Sequence, residues 1–176
     1  WRLDNNHHAA IGGRHNAAIM GWTVSQQDQT RAKRLETLRG AIDAAGFDGW
    51  IIGREDMYQG EEVPAGDERL AYLSGFTGSA GFAVVLGDRA GLFSDGRYSL
   101  QMSAQTNSAA WDCNTIPDVT CEDWLKTAGL ADGAIIAIDG RLTTVAGFRR
   151  FEESVLAAGG TLVCHHENLL DQQWHD

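Results

Sequence analysis

The stretch from Ser74 to Tyr98, SGFTGSAGFAVVLGDRAGLFSDGRY, decides the fold. Two apolar runs, Phe82 to Leu86 and Ala90 to Phe93, flank a Gly-Asp turn signal, and this pattern predicts a β-hairpin. The turn before the hairpin has glycines at three-residue spacing, which permit positive φ angles or the close approach of another group. The turn after it ends in Arg97 and Tyr98, which a hairpin by itself does not need.

Three kinds of site compete at the Gly-rich turn, which runs from Gly75 to Gly81. A dinucleotide cradle follows a strand and opens a helix, whereas this turn is predicted to follow a helix and to open a strand. A hydrolase nucleophile at Ser79 needs G-x-S-x-G, and Thr77 replaces the first glycine. We therefore expect the turns to be mainly structural, with Arg97 as an exposed group that binds an anion or a carbonyl oxygen.

The composition disfavours several classes of protein. The 176 residues are 43% hydrophobic, enough for one domain with its own core. A net charge of −10 and a pI of about 4.9 argue against nucleic acid as a partner. We expect no membrane span, because no apolar run of about 18 residues occurs. We also expect no signal peptide, because the first residues lack a basic stretch followed by an apolar one. The odd set Cys113, Cys121 and Cys164 favours a reduced, cytoplasmic protein.

Residues 1–29 differ from the rest because they show no sustained helical or strand period. We expect an extension, or a segment introduced by cloning, that is poorly structured, and Met20 could be a native start. His7, His8 and His15 could bind metal adventitiously, but a His-rich tract is only a compositional hint. The folded domain is expected to span residues 30–174.

Helices and strands alternate along that domain. Leu35, Leu38, Ile42 and Ala45 predict one apolar helix face that Gly46 ends, with Arg31, Lys33, Arg34 and Arg39 on the solvated side. The other predicted strands are Phe47 to Ile52, Ala110 to Ile116, Ala134 to Ile138 and Thr161 to Cys164. Two other helices are predicted from Asp67 to Leu73 and from Tyr98 to Gln105, and a third is predicted to begin after its cap, Thr120. The last helix is predicted to begin near Thr143 or Thr144, with an inward apolar face formed by Val145, Phe148, Phe151 and Val155. This order predicts an α/β three-layer sandwich whose mixed β-sheet is flanked by helices.

Two further clusters could bind a metal ion. The acidic loop from Gly53 to Asp67 lacks the alternating ligand spacing of a hard-cation loop, so we expect a solvated loop. The group Cys164-His165-His166-Glu167 lacks the second ligand pair of a structural zinc site. Cys113 is expected to be a small core residue, because no nearby charge favours a thiolate. We therefore predict no metal ligand in this chain.

Several separate motifs, in one order, resemble the N-terminal domain of Xaa-Pro aminopeptidases, the aminopeptidase P branch of the creatinase and prolidase group. The resemblance covers about Arg31 to Trp174 and rests on Arg54-Glu55-Asp56, Glu61 to Pro64, Asp67 to Arg69, Tyr72 to Gly81, Ser94 to Tyr98, Glu122 to Leu125 and Glu167 to Trp174. One departure is Tyr58, near which the family commonly has a His. Any role of that His is therefore not transferred to this chain.

The resemblance implies a creatinase-type α/β sandwich with a ribonuclease H-like motif. It also implies a non-catalytic domain of a metal-dependent enzyme that hydrolyses the bond between an N-terminal residue and proline. Two divalent metal ions, with manganese expected, would lie in a C-terminal domain, and residues 175–176 would begin the linker to it. Arg97 is then a substrate-binding residue, the chain alone is inactive, and no residue in it is catalytic. The implied partners are a peptide with Pro at its second position, the catalytic domain and a second copy in a homodimer.

Alternatives to this interpretation stay open. The chain could be a stand-alone interaction or peptide-binding module that uses the acidic loop with Trp111, Trp124 and Trp174. A self-contained Cys or Ser hydrolase is a further possibility. Arg97 itself could serve only to pair with Asp95 and stabilise the turn, and such a surface pair contributes about 0–1 kcal/mol.

Overall fold

The structure, a computed structural model, describes residues 13–174, with side chains described from Gln26 onward. Two compact units are distinguished, Trp1–Thr30 and Arg31–Asp176. Helix α1 (Gly13–Ala44) begins earlier than the helical period from Arg31 predicted. The predicted helix start was wrong because α1 has no marked amphipathic pattern over its length, and that pattern is the signal on which the prediction depends. The boundary between an extension and the folded domain stays a prediction. The possible metal ligands His7, His8 and His15 lie outside the residues whose side chains are described.

Six strands form one mixed sheet within the described residues, in the spatial order β4-β3-β2-β1-β5-β6. They are β1 (Gly49–Gly53), β2 (Phe82–Leu86), β3 (Ala90–Asp95), β4 (Asp112–Ile116), β5 (Ile135–Asp139) and β6 (Thr161–His165). Strand β2 is antiparallel to both of its neighbours, whereas the pairs β3–β4, β1–β5 and β5–β6 are parallel. The other five strands therefore run in one direction, and their carboxyl ends share one edge of the sheet, called the carboxyl edge below.

Helices cover both faces of the sheet and confirm the three-layer sandwich. They are α1, α2 (Arg69–Ser74), α3 (Ser99–Gln105), α4 (Cys121–Thr127) and α5 (Val145–Ala157), with 3-10 turns at Ala65–Asp67 and Gly96–Tyr98. One core cluster joins Leu38 of α1, Leu70 of α2 and Met102 of α3 to one sheet face. The other joins Trp124 of α4 and Val155 of α5 to the opposite face. None of the helices within residues 13–174 is long and apolar enough to cross a membrane.

Local signals place the helix ends where the sequence predicts them. Thr120 Oγ1 accepts a hydrogen bond from Asp123 N at 3.1 Å, and the Asp123 carboxylate accepts one from Thr120 N, which completes a capping box. Thr144 Oγ1 accepts one from Gly147 N at 3.0 Å at the start of α5. Gly75 ends α2 with a φ of +85°, a left-handed backbone conformation that residues with a side chain rarely adopt. Val145, predicted to face inward, is instead 71% exposed, because it is the first residue of α5.

The arginines of α1 overturn the prediction of a solvated basic face. Arg34 lies 3.7 Å from the centre of the Tyr72 ring and donates to Tyr72 O at 2.7 Å, in the last turn of α2. Arg31 donates to Gln105 O at 3.3 Å, where α3 ends, and Arg39 donates to Leu86 O at 3.1 Å. Their guanidinium groups thus donate to backbone carbonyls near the ends of α2, α3 and β2. Only Lys33 of the predicted set is fully exposed.

The segment after β6 forms turns and no new helix or strand through residue 174, as predicted. It nevertheless closes the core, because Leu169 and Leu170 are buried. Arg69 holds it with a bidentate pair to the Asp171 carboxylate, at 2.7 and 3.0 Å. Trp174 stacks on Tyr72 with ring centres 4.5 Å apart.

Candidate functional site

The carboxyl edge of the sheet gathers the charged side chains that follow three strands. Arg54 follows β1, Arg97 follows β3 and Arg141 follows β5. In open α/β sheets, ligands bind outside the carboxyl ends of the strands. This edge is therefore the candidate functional site.

Arg97 is held by the turn that ends β3. Asp95 Oδ1 accepts hydrogen bonds from Arg97 N at 2.9 Å and Nε at 3.0 Å, and Asp95 Oδ2 accepts one from Nη2 at 2.7 Å. The hydrogen bonds from the Arg97 side chain lower the pKa of Asp95 most, and the bond from the Arg97 backbone N lowers it further. The hydrogen-bonded Asp95 carboxylate in turn raises the pKa of Arg97. The pair is therefore ionised at neutral pH. The Arg97 side chain is 74% exposed, so the structure contains both the predicted turn pair and an accessible guanidinium.

The Gly-rich turn packs against the turn that carries Arg97. Ser79 Oγ is hydrogen-bonded to Tyr98 Oη, and the Tyr98 ring meets Phe76 edge-on at 6.1 Å. A Cβ atom at Gly78 would lie 2.2 Å from Phe76 Cζ, so glycine leaves room for that ring. The turn follows α2 and opens β2, which confirms the predicted order that argued against a nucleotide cradle or a nucleophile elbow.

Arg54 connects the Gly-rich turn to Glu68, the residue that precedes α2. Its Nη2 donates to Glu68 Oε1 at 2.7 Å, and its Nη1 donates to Ser79 O at 3.3 Å. Its buried Nε atom has no hydrogen-bond partner among the residues that the structure describes. Arg54 therefore supports the backbone of the Gly-rich turn at Ser79, beside Tyr98.

The acidic loop is not the solvated loop that the sequence predicts. Asp56 is only 3% exposed, and its Oδ1 accepts hydrogen bonds from Tyr58 N at 2.9 Å and Gly60 N at 3.1 Å. Burial raises the pKa of Glu55, and the charge of Arg150 partly offsets this effect. The prediction was wrong for these two carboxylates because amide groups of the loop itself turn Asp56 inward. It was right for Glu61 and Glu62, which are exposed.

A second Asp-Gly-Arg turn, Asp139-Gly140-Arg141, ends β5 at the same edge. Asp139 Oδ1 accepts hydrogen bonds from Arg141 N at 2.9 Å and Nε at 3.2 Å, and Oδ2 accepts one from Nη2 at 3.0 Å. Arg141 was not among the site residues predicted from the sequence. The signal that could have revealed it is the repeat of the tripeptide Asp95-Gly96-Arg97 after another predicted strand.

Exposed apolar side chains also concentrate at the carboxyl edge. Seven large hydrophobic residues are exposed in the described part of the chain. Five of them lie at or just after the carboxyl ends of parallel strands: Met57, Tyr58, Leu100, Ile116 and Val145. Contiguous exposed apolar patches mark surfaces that bind a partner or a ligand, and Met57 and Tyr58 are adjacent in the chain at this edge. The edge thus combines guanidinium groups with apolar contact points.

No group of three or more His, Cys, Asp or Glu side chains that could hold a metal ion occurs among the described residues. Cys164 is exposed, and His165 Nδ1 is hydrogen-bonded to the Glu167 backbone while its ring meets Trp50 edge-on at 5.8 Å. Burial raises the pKa of Cys121 to about 12, so its thiol is protonated at neutral pH. Cys113, expected in the core, is half-buried, with its sulfur 3.1 Å from Thr106 Oγ1.

The tryptophans proposed for an interaction surface mostly belong to the core. Trp111 is 5% exposed and Trp124 is 3% exposed, and the Trp124 indole donates to Asp112 Oδ2 at 3.0 Å. Trp174 is half-buried against Tyr72. These positions leave little tryptophan surface for a partner protein.

Comparisons with known proteins match most of the chain. Residues 34–173 match the model of the creatinase/prolidase N-terminal domain. A probable Xaa-Pro aminopeptidase P of Pyrenophora teres f. teres is 35% identical over 163 residues, which are 90% of this chain and 24% of that protein. A probable Xaa-Pro aminopeptidase P of Arthroderma otae is 37% identical over 150 residues, 82% of this chain and 23% of the relative. The chain thus spans about a quarter of the length of these curated relatives.

Solved structures agree with the family model. An X-prolyl aminopeptidase from Caenorhabditis elegans, described as a cytosolic enzyme with a di-nuclear active site, superposes with a TM-score of 0.72 and 29% identity. The match covers 82% of this chain and 26% of the nematode enzyme. The N-terminal domain of the cytoplasmic peptidase PepQ from Mycobacterium tuberculosis superposes with a TM-score of 0.59 and 25% identity, over 80% of this chain and 97% of that domain.

Proposed function

The chain belongs to the creatinase/prolidase N-terminal domain family, and we propose that it is the non-catalytic N-terminal domain of a metal-dependent Xaa-Pro aminopeptidase. Such an enzyme hydrolyses the bond between an N-terminal residue and the proline that follows it. The relatives in Pyrenophora and Arthroderma, which are about four times longer, support this proposal. The observation that carries the role of the domain is the exposed, rigidly held guanidinium of Arg97 at the carboxyl edge.

Arg97 is suited to bind a peptide. Asp95 occupies one edge of its guanidinium, through Nε and Nη2, and fixes the direction of the group. Its Nη1 makes no hydrogen bond with any described residue, so that edge of the fork can donate to a carboxylate or carbonyl oxygen. The domain would then complete a substrate pocket, in which the peptide lies between this edge and the metal-containing domain.

The two divalent metal ions, manganese in our proposal, belong to the catalytic domain of the longer protein. The di-nuclear active site of the nematode enzyme supports this assignment. The described residues of this chain do not form a matching donor set, since no three potential ligands converge. In this proposal the chain carries no catalytic residue and no metal ligand and is inactive alone, which a peptidase assay of the isolated chain with Mn²⁺ tests.

The role of Arg97 is tested in the full-length enzyme with Mn²⁺ and an X-Pro peptide. Arg97→Ala should raise KM by about tenfold with little change in kcat, the effect of losing one charge-assisted hydrogen bond to the substrate. Arg149→Ala, which removes an exposed arginine from α5, is the matched control and should leave KM unchanged. Unchanged kinetics of Arg97→Ala, with thermal unfolding equal to that of the wild type, would refute the role.

We also propose that the complete protein is a cytoplasmic homodimer. The cytosolic nematode relative and the free thiols of Cys113, Cys121 and Cys164 support the compartment. Sedimentation of the full-length protein tests the dimer, and a monomer at micromolar concentration would contradict it. The alternative of a stand-alone peptide-binding module predicts that the natural reading frame encodes only this domain. Sequencing across the natural stop codon distinguishes the two.

A further inference from the structure

The two Asp-Gly-Arg turns at the carboxyl edge have the same internal geometry. In each, the Asp Oδ1 accepts the backbone N and the Nε of the Arg two residues later, and Oδ2 accepts its Nη2. The first turn follows β3 and the second follows β5. The same tripeptide, at the ends of two parallel strands, therefore presents two guanidinium groups, each paired in the same way with the Asp two residues before it.

The second turn holds its arginine on a more rigid base than the first. The Asp139 side chain is 4% exposed, compared with 37% for Asp95, while the Arg141 side chain is 56% exposed. The backbone of the turn is fixed on both sides, because Thr143 Oγ1 donates to Asp139 O at 3.0 Å and Gln59 Nε2 donates to Leu142 O at 2.7 Å. This bond from Gln59, whose φ is 55°, joins the acidic loop to the turn.

Arg141 keeps donors for a ligand after pairing with Asp139. Its Nη1 makes no hydrogen bond within the part of the chain that the structure describes, so the edge of the guanidinium opposite Asp139 is open. Such an edge matches a carboxylate or a carbonyl oxygen. The net charge of −10 repels free anions from the domain as a whole, which favours an oxygen that a bound peptide delivers locally.

The spacing of the two strands that lead to these arginines matches the length of a short extended peptide. Strands β3 and β5 are three positions apart in the sheet order, with β2 and β1 between them. Three spacings between neighbouring strands amount to about 14 Å. An extended peptide covers this distance with about four residues.

We propose that Arg141 is a second substrate anchor, which binds a main-chain carboxylate or carbonyl oxygen about four residues beyond the group that Arg97 contacts. This inference rests on the proposed function. It makes the enzyme selective for oligopeptides of about five residues or more over tripeptides, because a shorter substrate cannot reach both guanidinium groups.

The test compares a series of X-Pro peptides of three to eight residues, extended with alanine, on the full-length enzyme with Mn²⁺. Arg141→Ala should raise KM about tenfold for hexapeptides and leave the tripeptide KM within about twofold of the wild type. Arg97→Ala should raise KM at all lengths, and Arg149→Ala at none. Arg141→Lys keeps a positive charge beside the buried Asp139 but loses the fork, so it remains folded and should give an intermediate KM for hexapeptides.

Peptides with free and amidated C-termini distinguish the two possible oxygens. If Arg141 binds the C-terminal carboxylate, KM is lowest at one peptide length, and amidation of the C-terminus abolishes this minimum. If Arg141 binds a main-chain carbonyl oxygen, KM falls with length to a constant value that amidation does not change. The second anchor would be overturned if Arg141→Ala and Arg141→Lys changed KM by the same factor for tripeptides as for hexapeptides. It would also be overturned if neither variant changed KM at any peptide length. A full-length wild-type enzyme that fails to cleave any X-Pro bond refutes the proposed function instead, so the two failures are separable.

Discussion

Replacing Gly91 by alanine tests the packing of β3, the strand that leads to Arg97, against α4. A Cβ atom at Gly91 would lie 2.7 Å from Trp124 Cε2 and 2.9 Å from Phe93 Cε2, closer than real Cβ contacts. The indole cannot withdraw at low cost, because it donates to Asp112 Oδ2 at 3.0 Å. It also meets the Phe93 ring edge-on, with ring centres 5.8 Å apart. The substitution must therefore displace packed aromatic rings.

Overpacking of this kind lowers the free energy of unfolding by about 1–3 kcal/mol. At this chain length each kcal/mol lowers Tm by about 2–4 °C. Urea unfolding followed by tryptophan fluorescence measures the loss, since Trp50 and Trp124 are buried and report on the core. Gly87→Ala is the matched control, because a Cβ there meets no atom within 4 Å, and it should change stability by less than about 0.5 kcal/mol.

A variant Gly91→Ala that is as stable as Gly87→Ala would refute the packing argument. A double-mutant cycle adds a second check. In a Trp124→Leu background the ring that blocks the new methyl group is gone, so the extra cost of Gly91→Ala should fall. If Gly91→Ala lowers the free energy of unfolding by the same amount in that background, the methyl group must clash with another group, for example with Phe93 alone.

Two further predictions concern titration and thiol reactivity. Burial raises the pKa of Glu55 above its ordinary value of 4.5, so the folded state holds this proton more tightly than the unfolded state, and stability falls as pH rises through the window above 4.5. Glu55→Gln should therefore have a higher free energy of unfolding than the wild type at pH 7, and this advantage should be absent at pH 4. The same difference in free energy of unfolding at both pH values would contradict the prediction. A thiol reagent at pH 8 should modify exposed Cys164 first and Cys121, whose pKa is raised to about 12, only after unfolding; equal rates would show that Cys121 is accessible in the folded chain.

Features set by neighbouring residues were predictable from the sequence. The hairpin of β2 and β3 depends on a two-residue turn between apolar runs, and the helix after Thr120 depends on a capping box of four residues, Thr120 to Asp123. These signals act within a few residues, so a single sequence contains them in full.

Features that depend on distant partners were not predictable. A basic residue that caps another helix looks, in sequence, the same as one that faces water, and the partners Tyr72 and Gln105 of Arg34 and Arg31 lie 38 and 74 residues away. Arg141 was missed because the repeated tripeptide matters only once β3 and β5 are known to end at the same edge. Arg97 was identified from a family motif, and its binding role stays a prediction.

The reversed direction of β2 explains why the stretch from Ser74 to Tyr98 organises the candidate site. Because β2 is antiparallel to β1 and β3, its amino end lies at the edge where those strands have their carboxyl ends. The Gly-rich turn before β2 and the Arg97 turn after β3 therefore meet, although the whole hairpin separates them in sequence. The contact between Ser79 and Tyr98 and the bond from Arg54 to Ser79 O are direct results. A parallel β2 would have placed the Gly-rich turn at the opposite edge, away from both arginine turns.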